Sequence, residues 1–364
     1  MGILTDFMER RLLDHIFGVT EMTKLTSLYL GISTTAFSES DTASQALAKE
    51  VGASGTTYNN NGYQRVSVYS TSSSSGLTVD TSSSSFSIEN KSQITFPQAT
   101  TSNWGSIGYW ALFEDQIPSN GTSSSTIDAD DGQKPLMIGS FSTAVTTNVG
   151  DQFRIATGAF TIELPDEITK ISTSSSYVNA PYHSKYGLAY LIGMPNSGGS
   201  SEWDFMAGNS EYTNKLWMGV STSAFGTSGV NDEGDSGRQE PGFTTSISDT
   251  STHAYRQNGY NQRPEIIFNS ASTSSGVTTI TNSTAVEFPE CASNNWGDIT
   301  HFAIFAGGSN SASYAALPSG SSVTSGDVHQ QHNPFFIGAL DAAKTVNVGD
   351  TLRFPAGSIS IALD

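Results

Sequence analysis

The residues best placed to do chemistry are two imidazoles three positions apart, His329 and His332, with the carboxylate of Asp327 beside them. Such a set suits a transition metal when the segment is helical, because residues at that spacing then share a face. The surrounding apolar pattern is not helical, and the corresponding stretch of the first half has Asp128, Asp130 and Asp131 but no histidine. The expectation is therefore a solvated loop, since a metal centre needs a complete and oriented ligand set. The run Asp128-Ala129-Asp130-Asp131-Gly132 falls one residue short of calcium-loop spacing and lacks the closing glutamate. Together with Asn231-Asp232-Glu233-Gly234-Asp235 it reads as a charged loop tip.

Nucleophilic catalysis has no better seat. The single cysteine, Cys291, cannot form an internal disulfide, and its counterpart in the first half is Ala99. There is no Gly-x-Ser-x-Gly elbow and no phosphate-binding glycine loop before a helix. Paired carboxylates for glycoside cleavage are a matter of separation in space, which sequence does not carry. Tyr58, Tyr177, Tyr182 and Tyr255 could stack on sugars, but ordinary packing at loop bases is the preferred reading. No catalytic, cofactor-binding or metal-binding residue is assigned, no cofactor is expected, and the chain is read as a non-enzyme.

The elements that would position any such residues are written twice. Asn148-Val149-Gly150-Asp151-Gln152-Phe153-Arg154 returns as Asn347-Val348-Gly349-Asp350-Thr351-Leu352-Arg353. Asn, Gly and Asp between alternating apolar runs predict a turn, with Val149 and Val348 facing the core. Leu28-Tyr29-Leu30-Gly31-Ile32 matches Leu216-Trp217-Met218-Gly219-Val220, and their period of two predicts strands. Val66-Ser67-Val68-Tyr69 also alternates. Asn61-Gly62-Tyr63-Gln64-Arg65 recurs as Asn258-Gly259-Tyr260-Asn261-Gln262-Arg263, whose extra residue suits a bulge. Ile94-Thr95-Phe96-Pro97 and Asn103-Trp104-Gly105 recur as Val286-Glu287-Phe288-Pro289 and Asn295-Trp296-Gly297, which predicts that Trp104 and Trp296 plug the ends of two cores.

Between these matched pieces the copies diverge. Ser38 to Asn61, Gly226 to Asn258, Glu114 to Lys134 and Ala306 to Asn333 are polar and read as long loops, the places where two copies of one fold part in function. Residues 3 to 17 carry apolar side chains at helical spacing, which predicts an amphipathic helix ending near Gly18. The fold class is all-β: two tandem β-sandwich domains, jelly-roll-like or immunoglobulin-like, with a short N-terminal helix. The boundaries fall at 1–164 for the first domain with its helix, 165–214 for a connecting segment, and 215–364 for the second domain.

A net charge of −18 over 364 residues argues against binding nucleic acid through its phosphates. Charged residues are 14% of the chain and aromatics 10%; the aromatics recur at matched positions, as core residues do and as a disordered chain would not. The N-terminus has no basic region before its apolar residues, so it does not read as a signal peptide, and no apolar run approaches the roughly 20 residues that span a bilayer.

Taken together, Leu12-Leu13-Asp14-His15-Ile16-Phe17, the Leu28 to Thr34 strand, the Gly-Tyr-x-Arg turn, the Ile94 to Ala99 block, Trp104-Gly105-Ser106-Ile107 and the closing Val-Gly-Asp motif resemble a family of small tailed-bacteriophage virion proteins. These are often labelled tail-fibre or minor structural proteins. The resemblance covers nearly all of both halves apart from the variable loops and the join, and it carries over no catalytic residue. It implies a structural protein on the virion surface, assembled in the host cytoplasm.

The first functional expectation is a capsid decoration or cement protein, because a tandem domain can span two neighbouring positions with one chain. The alternative is a tail-fibre or baseplate adhesin that binds host-surface glycans through its variable loops. Expected partners are other virion proteins, the major capsid or tail proteins, and further copies of the chain in a homo-oligomer, a trimer among the possibilities.

Overall fold

The computed structural model describes residues 4–20, 22, 25–55, 57–70, 76–80, 86–119, 121–164, 171–173, 176–178, 215–224, 240–241, 258–260, 263–307 and 336–363. The chain forms two compact units: Met1–Leu12, Met22–Asp166 and Leu188–Ser197 make unit 1, and Leu13–Glu21, Glu167–Gly187 and Gly198–Asp364 make unit 2. The protein is predominantly β, and among the described residues every strand pair is antiparallel. Among the described residues no helix is long and apolar enough to cross a membrane.

Unit 1 holds β1 (Ser27–Ser33), β2 (Val66–Ser70), β3 (Leu77–Asp80), β4 (Phe86–Asn90), β5 (Ile94–Gln98), β6 (Gly105–Phe113), β7 (Met137–Thr147), β8 (Gln152–Ile155) and β9 (Thr161–Leu164). They pair as β2-β1-β6-β7, β3-β4-β9 and β5-β8. The alternation of Leu28, Leu30 and Ile32 buries all three side chains, as the period of two demands. Val66 to Tyr69 departs from its expected alternation: the ladder skips Val68, so Val68 and Tyr69 are both buried. A bulge adds a residue on one strand and resets the faces, which no count of alternating residues foretells.

In unit 2 the short hairpin β10 (Ile171–Thr173) and β11 (Ser176–Val178) precedes β12 (Lys215–Ser221), β13 (Glu265–Ile266), β14 (Ser272–Ser274), β15 (Val277–Thr281), β16 (Val286–Glu290), β17 (Gly297–Gly307), β18 (Phe336–Val346), β19 (Thr351–Phe354) and β20 (Ser360–Leu363). The pairing β13-β12-β17-β18, β14-β15-β20 and β16-β19 reproduces unit 1 strand for strand. The likeness extends to irregularities. In β7, Ile107 pairs with Val145 and Tyr109 with Ser140, so residues 141–144 leave the ladder; in β18, Ile299 pairs with Lys344 and His301 with Ala339, so 340–343 leave it.

Helix α1 (Asp6–Ile16) forms where the apolar spacing places it. Gly18, at φ 69°, ends it, and the backbone N–H of Val19 donates to the Asp14 carbonyl. Met8, Leu12 and Leu13 are buried. In unit 1 the Thr5 hydroxyl donates to the Pro135 carbonyl at 2.6 Å. In unit 2 the Phe17 ring lies 4.5 Å from Phe268 and 4.9 Å from Phe336, and Asp14 Oδ1 accepts the Ala271 N–H at 2.6 Å.

The repeated Asn-Val-Gly-Asp joins β7 to β8, and β18 to β19, across two different pairings. Asp151 N–H donates to the Asn148 carbonyl while Asp151 Oδ2 accepts the Asn148 N–H, and Gly150 sits at φ 90°, as the third position of a type II turn requires. Asn347 to Asp350 repeats each of these, with Gly349 at φ 92°. Val149 and Val348 are 49% and 50% exposed, which corrects the expectation that they face the core. They occupy the outer corner of the turn, where the strand's alternation has already ended. Their N–H groups are held instead by Asn103 Oδ1 and Asn295 Oδ1, each at 2.9 Å.

Trp104 and Trp296 are buried as expected, and the reason is specific. Each indole N–H donates to the carbonyl of an asparagine at positive φ, Asn61 (56°) and Asn258 (59°), at 3.2 and 2.9 Å. Each ring packs edge-on against a tyrosine, Tyr63 at 5.7 Å and Tyr260 at 5.2 Å. The bulge expected at Asn261-Gln262 lies outside the described residues.

Candidate functional site

The variable segments of unit 1 contain helices that the reading as plain loops omitted. Helix α2 (Ala43–Lys49) starts with a capping box in which the Thr42 side chain and Gln45 satisfy each other's backbone N–H groups. Helix α3 (Ser124–Asp128) is capped by Ser123. Ala43 and Leu47 of α2 pack with Ile127 of α3, Tyr58 and the partly buried Ile117. This small core is separate from the cluster that Ala46 of α2 joins with Phe113 and Ile138 on the sheet, and apart from Tyr58, which recurs as Tyr255, it is built from unrepeated sequence.

The acidic residues weighed for calcium do structural work here. Asp128 accepts the Ser44 N–H at 2.8 Å and the Ser44 hydroxyl at 3.0 Å. Burial would raise its carboxyl, but these two bonds, Thr42 and the Lys134 charge outweigh that and hold it below the usual range. Asp130 Oδ1 accepts the Gly132 N–H, and Asp131 pairs with Lys134 at 2.7 Å. Asp115 moves the other way: burial raises its carboxyl, helped by Asp130 and Glu114. Among the described residues no group of three or more His, Cys, Asp or Glu is placed to hold a metal.

Tyr58 is buried, not offered to a ligand. Cys291 is buried too, with Sγ 3.0 Å from the Asn294 carbonyl, and burial pushes its thiol up, opposite to what an attacking thiolate needs. His329, His332 and Asp327 lie outside the described residues, as do Asn231 to Asp235, Tyr182, Tyr255 and the side chain of Tyr177.

Sequence reasoning missed the partner of the repeated Gly-Tyr-x-Arg. In unit 1 Glu50 receives the Tyr63 hydroxyl at 2.5 Å and Arg65 Nη2 at 2.7 Å, with all three residues buried. In unit 2 Glu240 receives the Tyr260 hydroxyl at 2.6 Å and Arg263 Nη2 at 2.6 Å. Each tyrosine oxygen also accepts a backbone N–H from one of the matched strands β1 and β12, Ile32 at 3.1 Å and Val220 at 3.3 Å. Gly31 explains itself in this setting: a Cβ there would stand 2.8 Å from the Phe113 ring and 2.9 Å from Glu50 Oε2.

The glutamates come from the divergent segments, 13 residues before Tyr63 in one copy and 20 before Tyr260 in the other. A spacing that changes between copies hides the pair. The usable signal was chemical: a repeated arginine beside apolar strands needs a carboxylate when charged residues are scarce.

Burial, and then the Glu50 charge, push the Tyr63 hydroxyl well above the ordinary tyrosine value; burial, and then Glu240, do the same to Tyr260. A folded-state value above the unfolded one means that this stability is complete below about pH 10 and is lost as pH rises beyond it, by up to about 1.4 kcal/mol per pH unit for each tyrosine. Alkaline unfolding of the protein is expected to be steeper than that of Tyr63→Phe. Equal slopes in denaturant titrations at successive pH values would contradict this.

Compared with known families, the chain matches the model described as podophage GP4 fiber I protein gp80 over residues 4–163 and again over 213–333, one stretch in each copy. No curated protein matches it.

Proposed function

The chain belongs to the family described as podophage GP4 fiber I protein gp80, and from that premise we propose that it is a tail-fibre adhesin whose variable loops contact glycans on the host surface. It is a structural protein of a bacteriophage virion. What carries the adhesin reading is the division between repeated and unrepeated residues. Strands, turns, tryptophan plugs and Tyr-Glu-Arg clusters recur, while the α2 and α3 segments of unit 1, whose sequences diverge from the second copy, pack together around Ala43, Leu47 and Ile127. A rigid scaffold carrying divergent, ordered loops is the arrangement that recognition surfaces use.

The exposed side of the α3 segment offers Ser123, Ser124, Ser125 and Thr126 hydroxyls beside the Asp130 and Asp131 carboxylates. Those groups match the hydroxyls of a sugar, and the net charge of −18 disfavours phosphate-rich ligands. The family description speaks for a fibre more than for capsid decoration, which stands as the second reading. A homo-oligomer, a trimer in our reading, would multiply weak loop contacts into firm attachment.

The purified chain is expected to compete with phage for adsorption to host cells, and a variant with Glu114–Lys134 replaced by a short Gly-Ser linker is expected to compete at least tenfold less well. Absence of competition by the intact chain, with its density found on the capsid in cryo-microscopy of the particle, would return the decoration reading to first place.

A further inference from the structure

We propose that Arg65 is a positioning residue that makes the two variable segments of unit 1, residues 38–61 and 114–134, one pre-organised body, so that recognition is carried by the pair and neither segment can change independently. The functional half of this statement rests on the adhesin reading; the coupling itself does not.

Two sides of the buried guanidinium are used. One side grips the first segment, with Nε donating to Glu50 at 3.1 and 3.2 Å and Nη2 at 2.7 Å. The other side grips the second, with Nη1 donating to the Asp115 carbonyl and to Gln133 Oε1, each at 2.9 Å. The flat face lies 3.4 Å from the centre of the Phe113 ring, which fixes the plane of the fork on the sheet.

The second grip closes on itself. Gln133 Nε2 donates to the Gln116 carbonyl at 2.8 Å, and Gln116 Nε2 donates back to the Arg65 carbonyl at 2.9 Å. Glu50 is tied to the sheet as well: the Ser33 hydroxyl donates to the Lys49 carbonyl at 2.6 Å, and the Val51 N–H to the Ile32 carbonyl at 3.2 Å. Farther out, Ser44 and Asp128 join the two segments again. Only a planar fork with donors on two edges satisfies both segments from one side chain; the single ammonium of a lysine cannot.

Hydrogen exchange on the full-length chain tests this with Arg65→Lys. Amides of α2 and of α3 are both expected to exchange at least tenfold faster, while amides of β6 stay within about twofold. Gln133→Leu weakens only the second grip, removing its side-chain acceptor and the bond to Gln116, and leaves the Glu50 pair intact, so it keeps the test open if Arg65→Lys does not fold; it too is expected to accelerate both helices. Acceleration confined to one segment, or none in either, overturns the proposal. Adsorption competition by the same variants reads the functional half separately. If the wild-type chain does not compete, the adhesin reading fails while the exchange result still judges the coupling.

Discussion

Replacing Glu50 with alanine is expected to lower the unfolding free energy of unit 1 by about 3–5 kcal/mol, the usual penalty for leaving a buried charge without its partner. Arg65 would remain enclosed, since neither side chain of the pair reaches solvent. The Tyr63 hydroxyl would lose its acceptor in the same step. At roughly 2–4 °C per kcal/mol for a domain of this size, the midpoint of thermal unfolding is expected to fall by roughly 10 °C. Exchange of the β1 and β6 amides assigns the loss to unit 1.

The companion experiment separates charge from packing. With Glu50 and Arg65 both replaced by methionine, most of the lost stability is expected to return, because an apolar pair of similar volume removes the desolvation cost along with the attraction. A loss below about 1 kcal/mol in Glu50→Ala would mean that the ion pair does not form as described. Glu240→Ala is expected to repeat the result in unit 2, where Arg263 is equally enclosed.

The second large effect concerns a buried asparagine that both copies use identically. Asn282 Nδ2 donates to the Thr284 carbonyl at 2.7 Å and to the Pro355 carbonyl at 2.9 Å, and its Oδ1 accepts the Ile359 N–H at 2.8 Å. Asn90 makes the same set with Ser92, Ala156 and Phe160. In each unit one side chain thus holds the connection that leads into the last strand.

Asn282→Ala leaves three backbone groups unsatisfied and is expected to cost about 3 kcal/mol. Asn282→Asp is expected to cost more although it is nearly isosteric, since it turns two donated bonds into a carboxylate facing two carbonyls. Chemical denaturation of the two variants checks the order. Aspartate proving milder than alanine would mean that shape, and not donor count, sets the requirement.

The sequence was legible where a residue's surroundings are set by its immediate neighbours. Alternation placed β1 and β12, helical spacing placed α1, and Gly150 and Gly349 marked their turns. Legibility failed where the partner lies far along the chain, as with Glu50 and Arg65, or where one extra residue shifts a face, as at Val68. Helix α2 was a different kind of miss. Thr42 and Gln45 stand at capping-box spacing ahead of Ala46 and Leu47, a local signal submerged in a polar segment. Val149 and Val348 show the converse error, in which alternation was carried one turn too far. At the candidate site, Asp128, Asp130 and Asp131 were read as a charged loop tip, whereas Asp128 closes α3 and bonds Ser44 at the start of α2, and Asp130 caps the short helical turn that Asp131 begins.

The four-residue excursions in β7 and β18 bear on how such a chain survives at high local concentration. Each interrupts an eleven-residue strand that stands last in the order of its four-stranded sheet. A straight rim of that length, exposed along residues 142–146, would present a continuous row of amide groups to any neighbouring copy. Broken at 141–144 and again at 340–343, the rim offers only short, misaligned runs. Neighbouring copies are thereby discouraged from zipping into sheets through their backbones.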